Sequence, residues 1–152
     1  MGGFLFYLID TVLLVLCGIL LWRMPESPSE APTDSFVKSL AGGVGILSLI
    51  RGAWRLIGLV TAWSFLFSED SPASESGALH FMMLSMIVAP IALLFAGFLT
   101  SQRTIQSRLE SVSLRDTLGD LATAVWSYRR PIGIAAAVIG VAQAIPFFLL
   151  FR

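Results

Sequence analysis

Charge is what this sequence has least of. Only 13% of its 152 residues are charged, against about 25% in ordinary soluble domains. The ten basic and ten acidic residues cancel, so there is no global basic field to attract nucleic acid. Cys17 is the single cysteine, which excludes a disulfide framework or a cysteine metal site within one chain. His80 is the single histidine. A haem or pigment could use a neutral imidazole, but any second ligand would have to be a methionine or come from another chain. His80 therefore reads as an interfacial side chain, and the neighbouring Met82, Met83 and Met86 as core filler rather than a copper site. There is no glycine-rich phosphate loop, no serine in a nucleophile elbow and no second histidine for acid–base work. These absences point away from an enzyme, and the residues call for no cofactor and no metal.

What the sequence has instead is long apolar runs, with 56% hydrophobic residues and a mean hydropathy of +0.82. Roughly 20 such residues cross a bilayer as a helix. Four runs qualify, at about 3–22, 36–67, 78–100 and 132–151, and they predict an all-α integral membrane protein built as one four-helix transmembrane bundle. The first run has no basic stretch before it and no small-residue cleavage site after it, so it reads as an uncleaved span rather than a signal peptide. Pro25, Pro28 and Pro32 break the chain after it, and Asp34 or Ser35 is placed to cap the next helix. As one helix, 36–67 would be about 48 Å long, so it either overshoots the bilayer or breaks near Gly42, Gly43 and Gly45. Pro90 predicts a kink in the third span.

Between the third and fourth spans the apolar face switches. Ile105, Leu109 and Val112 share one helical face, and Leu114, Leu118, Leu121 and Val125 share another, almost opposite. Ser113-Leu114-Arg115-Asp116 fits a capping box at the switch. The third helix is thus expected to end near Ser111, and an amphipathic helix to run over about 114–128. Trp126, Tyr128, Arg129 and Arg130 at its end are candidate headgroup anchors, and Pro131 is suited to the first position of the final span. The first and third connections carry seven basic residues; the loop at 68–77 and the termini carry only Arg152. That asymmetry places both termini outside the cytoplasm and the amphipathic helix on the cytoplasmic side, on the assumption of a prokaryotic or organellar inner membrane.

Three charged residues fall well inside the runs. Arg51 and Arg55 are four residues apart, hence on one helix face. If Phe67 marks the outer boundary, they lie about 24 Å and 18 Å below it, where long side chains snorkel to headgroups. The competing reading turns them inward onto an anion, a lipid phosphate or a buried carboxylate. Asp10 is the only acid well inside a span, so the expected pair is Asp10 with Arg55. In the last span Ala136, Gly140 and Ala144 form a ridge of small residues that permits close helix approach, and Gln143 can bond across a helix interface. That ridge suits packing within the bundle or against a partner. The function expected from these features is a non-catalytic accessory subunit or assembly partner of a larger membrane complex. The alternative is a small oligomeric transporter or channel component for an anion or other small solute. Expected partners are membrane lipids and other membrane subunits or further copies of the chain, and no nucleic acid.

Overall fold

A computed structural model describes residues 2–28, 30, 32–66 and 77–150, with side chains described over 5–28, 30, 32–61 and 86–145. All regular structure among them is helical: α1 (Gly2–Arg23), α2 (Ser35–Leu66), α3 (Gly77–Arg108), α4 (Val112–Trp126) and α5 (Arg129–Leu150). Three of these helices are long and apolar enough to cross a membrane, over Leu5–Arg23, Ser35–Thr61 and Met86–Arg108. Phe67, the loop after it and the side chains of His80, Met82 and Met83 lie outside the described residues.

The helix ends follow local chemistry. Pro25 disfavours helical backbone at Met24, and α1 stops at Arg23. Asp34 caps α2: its Oδ1 accepts the Phe36 N–H at 2.9 Å and its carbonyl accepts the Lys38 N–H at 3.0 Å. Its other oxygen pairs with Arg23 at 3.2 Å, tying the end of α1 to the start of α2.

α2 does not break at its glycines. It runs unbroken for 32 residues, and Gly42 and Gly45 form a contact face against α3 rather than a hinge. A Cβ on Gly45 would lie 2.6 Å from the Ser101 nitrogen and 2.8 Å from the Gly97 carbonyl, and one on Gly97 would lie 2.8 Å from the Gly45 carbonyl. Gly52 fits just as closely against the Pro90 carbonyl, at 2.9 Å. α3 is itself one 32-residue helix through Pro90. α1 and α5 form a second close pair. A Cβ on Gly18 would lie 2.6 Å from the Gly133 carbonyl, and Gly140 packs against Leu14 and the Thr11 carbonyl. The small-residue ridge of α5 is thus spent inside the chain, with Ala136, Gly140 and Gln143 buried and Ala144 half-buried. The core lies where the two pairs meet, around Leu14, Leu20, Leu21, Leu93, Ala96 and Leu99.

The α3–α4–α5 corner departs from expectation in three ways. α3 ends at Arg108, and the N-cap of α4 is Ser111 with no side-chain cap bond. The capping box at Ser113 and Asp116 does not form, because the Arg115 N–H already bonds the Ser111 carbonyl at 3.1 Å and closes the first turn earlier. Ser113 is inside the helix, its carbonyl taking the Thr117 hydroxyl at 2.9 Å. α5 begins at Arg129, so Pro131 is its third residue rather than its first, still within the turn where no intrahelical N–H is needed. Finally, Trp126 and Arg129 turn inward. The Trp126 indole donates to the Pro25 carbonyl at 3.3 Å, and the Arg129 guanidinium lies 5.8 Å from its ring centre. Of the four expected anchors only Tyr128 and Arg130 stay exposed.

Candidate functional site

An aspartate in an apolar helix needs partners, since hydrocarbon solvates neither charge nor hydrogen bond. Asp10 is 1% exposed and has two partners. Its Oδ1 accepts from Arg51 Nε at 2.6 Å and its Oδ2 from Arg55 Nη1 at 2.7 Å. The four-residue spacing on α2 makes this fit: it stacks the two guanidiniums one turn apart, facing the same point on α1. Both arginines reach across the seam between α1 and α2. The wider pairing has a simple cause. Depth measured from Phe67 sets Arg51 a turn too far from Asp10, but both side chains are long enough to converge on one carboxylate.

Two aromatic rings complete the clamp. The Arg51 guanidinium lies 4.9 Å from the Phe6 ring centre, and that of Arg55 lies 5.4 Å from the Tyr7 ring centre. Arg51 Nη2 also points at the Phe6 carbonyl, at 3.4 Å. Phe6 and Tyr7 precede Asp10 by four and three residues, so they share its helix face, and that spacing was the signal available in the sequence. Lower on the same seam, Cys17 Sγ and Ser48 Oγ are 3.2 Å apart and buried, a second polar link between α1 and α2.

The charges do not balance. Among the described residues two guanidiniums meet one carboxylate, an excess of one positive charge, and the arginine side chains remain 18% and 12% exposed. They open onto a cleft of about 250 Å³ walled by Phe6, Trp54, Leu59 and Met86. Met86, grouped in sequence with Met82 and Met83, is thus one wall of this cleft. Such an arrangement can clamp helices together and can hold an anion beside the clamp. Among the described residues no group of three or more His, Cys, Asp or Glu is placed to hold a metal ion. A second anchoring arginine, Arg103, bonds the carbonyls of Pro28 (2.8 Å) and Glu30, fastening the first connection to α3.

The chain matches no family model, no curated protein and no solved structure. What can be said of its function comes from the residues themselves.

Proposed function

We propose that the chain is a non-catalytic subunit that assembles with other membrane proteins. In this reading α1, α2, α3 and α5 are four spans of a prokaryotic inner membrane, with both termini outside the cytoplasm and α4 along the cytoplasmic headgroup layer. The exposed Leu114 and Leu121 of α4 favour that placement. The observation that carries the reading is an apolar groove of about 330 Å³ between α3 and α5. Ala92, Ala135 and Ala136 floor it, and Ile91, Phe95 and Ile139 wall it. A floor of small residues between bulky walls lets another helix approach closely, which is how helices associate where lipid supplies no hydrophobic drive. The small-residue ridge, which suits packing within the bundle or against a partner, has Gly140 set against α1, and the groove opens beside it at Ala136.

The test is affinity purification of the full chain from native membranes, followed by native mass analysis, for the wild type and for Ala135→Trp. The expected result is stoichiometric recovery with other membrane subunits, lost in the variant while its melting temperature holds. Recovery alone or as a homo-oligomer would move weight to the alternative, a component of an oligomeric anion transporter. That second reading is favoured by one observation, the excess positive charge at Arg51 and Arg55.

A further inference from the structure

The cleft beside Asp10 has two chemically different ends. At one end each guanidinium offers about five N–H donors. Among the described residues, Asp10 and the Phe6 carbonyl take three of them between the two arginines. The donors left over and the excess charge both ask for an oxyanion, since an uncompensated cation in hydrocarbon is costly. At the other end are Trp54, Leu59 and Met86. Gly58 lies one turn from Arg55 and leaves the cleft open: a Cβ there would meet no described residue within 4 Å. Beyond the cleft the outer face of α2 stays apolar, with Trp54 70%, Ile57 62% and Val60 73% exposed.

Depth fits the same ligand. α1 runs from Gly2 to Arg23, long enough to cross the ~30 Å hydrocarbon layer. The guanidiniums lie against Phe6 and Tyr7, four and five residues beyond Gly2, so they sit roughly 6–8 Å along the helix from its N-terminal end. A headgroup can reach that level while its acyl chain follows the apolar wall.

We propose that this cleft binds an anionic amphiphile, its phosphate or carboxylate head on Arg51 and Arg55 and its acyl chain along Trp54, Leu59 and Met86. The assignment rests on the cleft alone and holds whether or not the chain is an accessory subunit. Asp10 has two roles here. It holds the guanidiniums in place, and by neutralising only one of them it leaves the charge that selects an anion.

The probe is native mass spectrometry of the detergent-solubilised full chain with equal amounts of dioleoyl phosphatidylglycerol and dioleoyl phosphatidylcholine. These lipids share their tails and differ in net charge. The wild type is expected to retain the anionic lipid about tenfold over the zwitterionic one, the effect of a charge-assisted hydrogen bond. Gly58→Leu fills the cleft without touching the triad, and should bring the ratio near one with the lipid-free melting temperature unchanged. Arg55→Gln should do the same; if it fails to fold, Gly58→Leu still decides. Equal retention by the wild type, or an unchanged preference in Gly58→Leu, overturns the proposal. A parallel arm adds millimolar inorganic phosphate. If phosphate displaces the anionic lipid and stabilises the chain equally well, the site takes a free anion, and the amphiphile assignment falls in favour of transport.

Discussion

The two helix seams that α2 makes are built on opposite principles. The seam with α3 is made of missing side chains: Gly45 and Gly52 on α2 and Gly97 on α3 bring backbone to backbone, with carbonyls under 3 Å from where a methyl would be. Against α1, α2 presents added charge, two arginines reaching for one carboxylate. Lipid gives helices no hydrophobic reason to associate, so contact has to come from close van der Waals packing or from polar bonds. This chain uses one on each side of the same helix. The seams should therefore fail differently: the glycine seam tolerates no added atom, and the ionic seam tolerates no lost negative charge.

The largest expected effect comes from Asp10→Asn. The amide keeps the shape of the carboxylate but leaves two half-buried guanidiniums without an anion, a loss of about 3–5 kcal/mol. Thermal or denaturant unfolding in detergent measures it, and unchanged stability would mean that the α1–α2 seam does not depend on charge. Next is Gly45→Ala, which puts a methyl into the backbone of α3 and should cost about 1–3 kcal/mol by overpacking. If it unfolds like the wild type, the α2–α3 seam is looser than the 2.6 Å approach implies.

Arg51→Gln sharpens the comparison by separating charge from hydrogen bonding. Removing Arg51 leaves Asp10 and Arg55 as a balanced pair, so the expected loss is smaller, about 1.5–3 kcal/mol for one charge-assisted bond. The two substitutions strip the same contact from opposite sides. If the seam depends on charge balance, Asp10→Asn must cost clearly more than Arg51→Gln in the same unfolding assay. Equal losses would show that the bond count, not the balance, holds α1 to α2.

Much of this architecture could be read from the chain. Apolar runs bounded by proline and acidic connections place each helix to within a few residues, and a lone aspartate facing an Arg-x-x-x-Arg pair stands out in so uncharged a sequence. What could not be read was how far the helices slide past one another. The close approaches of Gly45, Gly52 and Gly97 set that register on one face of α2, and the arginines on another face inherit it. A glycine cluster reads alike as a hinge or as a packing face until its neighbours are known. The Trp126 to Arg130 cluster poses the same difficulty. Aromatic and basic residues at a helix end look the same whether they meet headgroups or fold onto the Pro25 carbonyl.

The smallest predicted effect has the opposite sign. Gly42, Gly43 and Gly45 are nearly adjacent, yet only two of them face α3. A Cβ on Gly42 would run into the Thr104 hydroxyl oxygen, whereas one on Gly43 would meet no described residue within 4 Å. Gly43 therefore keeps only the entropic disadvantage of glycine in a helix. Gly43→Ala should stabilise the chain by about 0.5–1 kcal/mol, read as a small rise in melting temperature in detergent. Set beside Gly45→Ala, two residues away, this is the most direct test of what the cluster is for. Opposite signs follow if the glycines exist to let α3 approach. Equal losses at both positions would mean that α2 needs flexibility there, and the close-packed seam would then be a consequence of the glycines rather than their reason.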